Sequence, residues 1–594
     1  MTTEADTSRA ATTIRVAAAQ INTTVGDIDG NVRLVQEWTE KAQAQGVELL
    51  IFPELTITGY PPEDLVLYDH FIEANKMALQ QLAASISDVI AVVGFVDSDE
   101  EGNLYNAAAV LHQGAVVTVY RKVHLPNYGV FDEQRYFKSG DQCPVLVIRG
   151  IRVGVNICED IWEDVGPSEV QCVAGAQIVV NLNSSPYESG KQGVRVNIVT
   201  SLARRNRAFT LYANQVGGQD ELVFDGGSML AGPDGELVGT APRFEETLLI
   251  ADLNVTAVDD IREKHPVNAV PEADLAQVGI AYEINISSTP SSYQPHLPEL
   301  SVYKLDRLEA IYRALVLGTR DYVRKTGFKK VAVAVSGGID SAIVTAIAVD
   351  AIGAENVIGV ALPSRYSSEG SVSDATELCA RLGVDLWNIP IEPGHRAFEE
   401  MLDEAFEETE PGLAEENMQS RIRGNIMMSI ANKFNWLVLT TGNKSEMATG
   451  YGTLYGDMAG AYAVIKDVPK TVVYELCEHR NRCGPGAPIP QAIIDKPPSA
   501  ELRPDQLDQD SLPPYDQLDR IIHMYIEGRL SLRKIIESEA EHGENGANES
   551  VIRRVIRLVD INEYKRRQTP PGVKITGLAF GRDRRLPIAS GWQK

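Results

Sequence analysis

The 594-residue chain, with 44% hydrophobic and 23% charged residues, is too long for a single core and is expected to form two to four soluble domains. A formal charge of −27 argues against a nucleic-acid partner, because binding phosphates depends on clustered Lys and Arg. No apolar run approaches the roughly 18 residues of a membrane span, and six cysteines give no disulfide framework.

The opening twenty residues show no basic segment followed by an apolar core and a cleavage site, so residues 1–13 are expected to be a disordered tail. No export signal is read, and the cytoplasm is the default compartment. From Ile14 to Asn285 short β-rich runs such as "ELLIFPE", "RVGVNICED" and "AQIVVNLNSS" alternate with helical stretches, which predicts one α/β domain over 14–285. Three of these runs end on reactive side chains: Glu54 closes "LLIFPE", Lys122 closes "VVTVYRK", and Cys158 follows "RVGVN". A strand-end cysteine alone reads as a small buried hydrophobe, and Glu54 or Lys122 alone as surface charge. Three strand ends at one sheet edge would instead give a Glu, Lys, Cys constellation, in which a base or cation beside the thiol makes it nucleophilic.

The segments "FPELTITGYPPEDL", "YRKVHLPNYGVFDEQRYF" and "VGVNICEDIW" resemble, in this order, the signature segments of the nitrilase superfamily. The resemblance implies a four-layer αββα sandwich in which Cys158 attacks an amide carbonyl, Glu54 is the general base and Lys122 holds the tetrahedral intermediate. It further implies that Glu133 supports Lys122, and that in glutaminase members Tyr128, Ser185 and Lys191 contact glutamine.

The Ser, Thr and Pro content of "SSTPSSYQPHLPEL" marks a linker over 286–300. Beyond it, an amphipathic helix precedes "KKVAVAVSGGIDSAIVTAIAVDAIG", which reads as strand, tight loop and helix, and "NVIGVALPS" and "WLVLTTGN" supply further apolar parallel strands. Residues 301–594 are therefore expected to form a doubly wound α/β domain. The acidic run Phe398 to Asn417 reads as a solvated helix and loop, and "DKPPSAELRPDQLDQDSLPPYDQLDR" as a mobile loop over a site. "CEHRNRC" offers too few ligands for a structural zinc.

"SGGIDS" is not a Walker loop. Its glycines let the backbone approach phosphate, Ser336 and Ser341 add hydroxyls at a helix N-terminus, and Asp340 is placed for an accompanying magnesium ion. The string Ser336, Gly337, Gly338, Ile339, Asp340, Ser341 resembles the pyrophosphate loop of the ATP pyrophosphatases, whose fold is of the adenine nucleotide alpha hydrolase type. "NMQSRIRGNIMMSIAN", "TTGNKSEMATGYGTLYGDMAG", "VPKTVVYEL", "KPPSAELRPDQ" and "NEYKRRQTPPG" add a resemblance to the NAD synthetases. It implies that Thr441, Lys470 and Ser499 contact ATP, and that Glu446 joins Asp340 at magnesium. Asn417, Arg421 (or Arg423 in exchange) and Lys565 would lie, with Glu446, near deamido-NAD. Shorter ammonia-dependent members carry a lysine and an aspartate where this chain has Leu454 and Ala461.

A carboxylate becomes reactive once adenylated and then needs ammonia, which an amide-hydrolysing site can supply. The two constellations together therefore imply a glutamine-dependent NAD synthetase acting on ATP, deamido-NAD and glutamine, and the family resemblance implies a homo-oligomer. An amidotransferase acting on another adenylated acid is the alternative. A scaffold with dead sites is disfavoured, because Glu54, Lys122, Cys158 and Asp340 are all present.

Overall fold

The computed structural model describes residues 13–267, 270–286, 295–410 and 412–591. The expected tail lies outside these residues except for Thr13, which opens the first strand, and so do residues 287–294 of the expected linker. The chain divides into two compact units, Met1–Gln219 with Phe224–Leu305, and Asp220–Val223 with Asp306–Lys594.

The first unit holds two large sheets. One runs in the order Thr247–Asn254, Thr13–Gln20, Leu49–Ile51, Ile90–Ser98, Leu104–His112, Ala115–Arg121. The other runs Leu237–Thr240, Met229–Ala231, Phe209–Asn214, Ile178–Asn183, Ile151–Ile157, Gln142–Ile148, Ile280–Ile286. The strands read as unbroken apolar runs because both faces of each sheet are covered. Alternate residues Val16, Ala18, Ile51, Val92 and Val110 of the first sheet meet Val153, Val155, Val180 and Leu211 of the second in one buried cluster. The intervening Ala17, Ala19, Leu50, Phe52 and Val93 pack against Val35 and Ala42 of the helix Ile28–Ala44 and Leu79 and Leu82 of the helix Asp69–Ser85. Val179, Tyr212 and Met229 face Cys172 of Pro167–Val173 and Val199 and Leu202 of Lys191–Asn206. The layers are therefore αββα, as the resemblance implies.

The second unit is built on a five-stranded parallel sheet in the order Asp385–Asn388, Val357–Ala361, Val331–Ala334, Leu437–Thr440, Tyr462–Ala463. From the central strand Val331–Ala334 the chain runs outward on one side and later returns to the other. The switch point thus opens a crevice at the carboxyl ends of Val331–Ala334 and Leu437–Thr440, where α/β sheets bind ligands.

One expectation is corrected. The Pro- and Asp-rich stretch from Asp495 is irregular at first, but its last residues enter a helix, Tyr515–Ile522. Pro514 precedes the first turn, and Leu518, Ile521 and Ile522 bury one face in a helical cluster with Ile552, Val555 and Val559.

Candidate active sites

In the first unit the three strand ends converge on a buried charge cluster. Glu54 follows Leu49–Ile51 at a tight turn, where Leu55 has φ 48°. Gly94 on the adjacent strand makes room for that turn, since a Cβ there would lie 2.3 Å from the Leu55 nitrogen and 2.6 Å from the Pro53 oxygen. Glu54 Oε1 accepts from Lys122 Nζ at 2.7 Å and Asn106 Nδ2 at 2.8 Å, and Oε2 from the Ser184 N–H at 3.0 Å. Lys122 also donates to both oxygens of Glu133 at 2.9 Å, and Tyr60 adds a hydroxyl to Glu133 at 3.3 Å.

Cys158 opens the 3-10 turn Cys158–Ile161 directly after the strand Ile151–Ile157, with φ 45°. That left-handed conformation costs a non-glycine residue roughly 1–2 kcal/mol and is held in place by its surroundings. Asp160 supplies the hold: its carboxylate accepts from the Ile157 N–H at 2.9 Å, the His124 N–H at 2.9 Å and the Tyr120 hydroxyl at 2.6 Å. One buried side chain thereby ties the cysteine turn to the strand end that carries Lys122.

Burial and the neighbouring Glu54 push the Cys158 thiol well above its ordinary range, with Lys122 pulling the other way, so the resting nucleophile is neutral. Burial opposes the Lys122 charge, but Glu133 and Glu54 outweigh it and keep the ammonium protonated. Burial pushes Glu133 up, against Lys122 and with Glu54. The cluster can therefore accept one proton while presenting a fixed cation.

Tyr128 is half exposed and donates to Glu159, the residue after Cys158, at 3.0 Å. Lys191 Nζ lies 5.8 Å from the ring centre of Phe131 and 5.9 Å from that of Trp162. Ser185 is buried, and its Oγ accepts from Arg195 Nε at 3.1 Å. Arg195 is itself fully buried, bonds the Ser185 and Pro186 carbonyls, and pairs with Asp225 at 2.7 Å.

In the second unit the loop after Val331–Ala334 leads into the helix Ile339–Ile352, with Gly338 at its N-cap. Gly337 has φ 77°, and a Cβ there would stand 2.2 Å from the Ser371 carbonyl oxygen, so only glycine fits. Ser341 Oγ donates to the Gly338 carbonyl at 2.9 Å and lies 3.3 Å from Ser336 Oγ, which sets both hydroxyls on one side of the turn. A cavity of about 290 Å³ is lined by Ser336–Ser341 together with Thr441, Glu446, Lys470 and Ser499. Asp340 accepts from Asn443 Nδ2 at 2.9 Å and is ion-paired with Lys470. Glu446 caps its own helix through the Asn443 N–H at 3.1 Å.

Burial and the facing Asp340 push Glu446 well above the usual carboxylate range, against the pull of Lys470. Two crowded carboxylates beside a phosphate-type loop fit a magnesium ion, which commonly takes one or two carboxylates and completes its shell with phosphate and water. Among the described residues no group of three or more His, Cys, Asp or Glu side chains could hold a metal ion by itself. An ion here would take its remaining ligands from outside the protein.

Asn417, Arg421 and Lys565 are not on the cavity wall; all three instead hold the loop from Gly450 to Leu454. Asn417 accepts from Thr453 Oγ1 at 2.7 Å, Arg421 donates to the Leu454 carbonyl at 3.3 Å, and Lys565 donates to the Gly450 and Gly452 carbonyls at 2.7 and 2.9 Å. Of the two arginines it is Arg423 that lines the cavity. Sequence reading also passed over Lys496, Asp457 and Glu501, which share the wall. Only Lys496 gave a signal, as the cation that opens "KPPSAEL".

The carbon-nitrogen hydrolase family model matches residues 15–263, and the NAD synthase model matches 311–569. The chain is 44% identical to the glutamine-dependent NAD(+) synthetase of Thermotoga maritima over 595 residues, covering 98% of this chain and 99% of that protein. It is likewise 44% identical to the Acinetobacter baylyi enzyme of the same name over 579 residues, with 98% and 99% covered. A solved glutamine-dependent NAD+ synthetase from Acinetobacter baumannii in complex with ADP is 40% identical, covers 98% of this chain and 99% of its own, and superimposes with a TM-score of 0.72. With a nitrilase-type cysteine centre in one unit and a phosphate-type loop in the other, and with similarity to these enzymes along nearly its whole length, the chain belongs to the glutamine-dependent NAD(+) synthetases.

Proposed function

We propose that the two sites carry out consecutive halves of one reaction, with the roles divided as follows. The Cys158 sulfur attacks the side-chain carboxamide of glutamine as Glu54 takes the thiol proton, and Lys122 stabilises the oxyanion, a contribution of about 3 kcal/mol per donor. Glu54 returns the proton to the departing nitrogen, ammonia leaves, and water hydrolyses the thioester to glutamate. Tyr128, Ser185 and Lys191 hold the glutamine.

In the second site the deamido-NAD carboxylate attacks the α-phosphorus of ATP and pyrophosphate leaves. Ammonia delivered from the first site then displaces AMP from the acyl carbon to give NAD. Ser336–Ser341, Thr441, Lys470 and Ser499 bind ATP, Glu446 faces deamido-NAD, and Asn417, Arg421 and Lys565 serve deamido-NAD through the Gly450–Leu454 loop, whose Tyr451 and Gly452 line the cavity. Asp340 and Glu446 would hold magnesium, which when bound neutralises phosphate charge.

The observation that carries this reading is the buried Glu54–Lys122–Glu133 cluster around a neutral Cys158 thiol, which has no use in adenylation. We extend the reading to domains at 14–285 and 301–594, to a cytoplasmic setting and to a homo-oligomer. The setting is supported by six free cysteines. The homo-oligomer is supported by exposed Phe398, Met401, Leu413 and Phe434 on the helices Glu392–Phe406 and Leu413–Phe434. Among the described residues no helix is long and apolar enough to cross a membrane.

The test is Cys158→Ala in the full chain, assayed for NAD formation from ATP and deamido-NAD. Glutamine should no longer support synthesis, and excess ammonium should. Retained glutamine-dependent synthesis would overturn the glutaminase assignment.

A further inference from the structure

Lys496 shares the cavity wall with the phosphate-type loop, and the division of labour above gives it nothing to do. Its Nζ donates to the Gly337 carbonyl at 3.4 Å and to Ser371 Oγ at 3.3 Å, and it is ion-paired with Asp374. Five residues on, Glu501 accepts from Ser368 Oγ at 3.0 Å and Ser371 Oγ at 2.7 Å. The segment 496–501 is thus pinned at both ends to the first turns of the helix Glu369–Leu382, and at Lys496 also to the loop itself. Ser371 links the two, since its carbonyl is the atom that forbids a side chain at Gly337.

Among the described residues three cations line the cavity: Arg423, Lys470 and Lys496. Lys470 is committed to Asp340, and Arg423 donates to the Leu362 carbonyl at 2.9 Å. Lys496 is the one whose ammonium touches the backbone of the loop, and a carbonyl oxygen is a weak partner beside a phosphate. An ammonium has three donors on a flexible stem, so it can exchange the Gly337 carbonyl for a phosphoryl oxygen and still keep Asp374.

We propose that Lys496 is a further phosphate ligand in the synthetase site, taking the β- and γ-phosphoryl oxygens of ATP and then the pyrophosphate. In doing so it holds the segment 496–501 against the filled loop. Asp374 is a positioning residue that aims the ammonium. The inference rests on the reading of Ser336–Ser341 as the pyrophosphate loop.

The experiment is calorimetric binding of ATP and of AMP to the full chain, with magnesium and without deamido-NAD, for wild type, Lys496→Ala, Lys496→Arg and Gly337→Ala. Charge-assisted hydrogen bonds set the scale: Lys496→Ala should weaken ATP about tenfold or more and leave AMP, which lacks both outer phosphates, within about twofold. Lys496→Arg should recover most of the ATP affinity. Equal weakening of ATP and AMP, unchanged ATP, or an arginine variant as weak as the alanine variant would each overturn the proposal. Gly337→Ala separates the two levels. If it weakens ATP while Lys496→Ala does not, the lysine's role fails alone; if it leaves ATP unchanged, the loop assignment fails first.

Discussion

Glu54→Gln preserves shape, so the hydrogen bonds around Glu54 determine its effect. Oε1 meets two donors, Lys122 Nζ and Asn106 Nδ2, and Oε2 meets the Ser184 N–H. A glutamine has one acceptor oxygen and will keep it toward the two donors, one of them cationic, which turns its NH2 against the Ser184 N–H. One unmet buried donor costs about 1–3 kcal/mol, and Lys122 keeps Glu133 at 2.9 Å as its counter-ion, so the fold survives. The thiol, however, loses its proton acceptor, a group that general-base catalysis values at roughly 10²–10⁴ in rate, or about 3–5 kcal/mol. Initial rates of NAD formation should fall by that factor with glutamine and stay within about twofold with excess ammonium. Glutamate release, measured directly, should fall in parallel. A glutamine-driven rate within about tenfold of wild type would refute the assignment of Glu54 as the base.

Asp340→Asn removes the charge that pairs with Lys470 and faces Glu446; NAD formation should be lost with glutamine and with ammonium alike, and normal synthesis would remove Asp340 from the phosphate chemistry. Lys565→Ala frees the Gly450 and Gly452 carbonyls, so the KM for deamido-NAD should rise about tenfold, and an unchanged KM would return this lysine to a purely structural role. Asp457 supplies a pH test, because burial pushes its carboxyl up to about 6 from 3.8. Its stabilising contribution is complete below the unfolded value and is lost as pH rises through about 6. Over a gap of about two pH units this amounts to about 3 kcal/mol. The amide introduced by Asp457→Asn does not titrate and can still accept from the Thr453 N–H, so urea midpoints should show this variant gaining on wild type by that amount between pH 4 and 7. A difference that stays flat with pH would refute the assigned burial cost.

Much of this was legible where chemistry is written in a continuous string. Each catalytic candidate of the first unit ends an apolar run, so strand pattern and residue type coincide at Glu54, Lys122 and Cys158, and the phosphate-type loop is complete within six residues. What stayed hidden are the partners that fold back from afar. The Ser184 N–H that binds Glu54 comes from 130 residues away and is a backbone group, which no side chain announces. Nothing in the sequence singles out Asp160, and only the hydrogen bonds it accepts from the Tyr120 hydroxyl and the His124 N–H reveal a brace. The choice between Arg421 and Arg423 is a question of helix phase: residues two apart point about 200° apart, so one reaches the cavity and the other the Gly450–Leu454 loop. Phase cannot be read until the partner surface is known. The stretch from Asp495 misled for a related reason, since its prolines mask the helical spacing of Leu518, Ile521 and Ile522.

The two sites share a charge design. In each, a buried lysine stands between two carboxylates: Lys122 between Glu54 and Glu133, and Lys470 paired with Asp340 in the field of Glu446. With every group ionised each triad would carry one negative charge in excess, which burial opposes by pushing Glu133 and Glu446 up unless something positive completes the site. In the first unit the completing charge would be a proton, which the Cys158 thiol would pass to Glu54 only as the sulfur attacks, because burial and the neighbouring carboxylate hold the resting thiol neutral. In the second unit the carboxylates face a loop made for phosphate, where one proton could not offset both the triad and a polyphosphate. A divalent cation could, and it would join the carboxylates to the phosphates they otherwise repel. On the proposed reading, the same arrangement of two acids and a lysine would serve proton transfer in one unit and phosphate binding in the other, according to which positive partner the neighbouring residues admit.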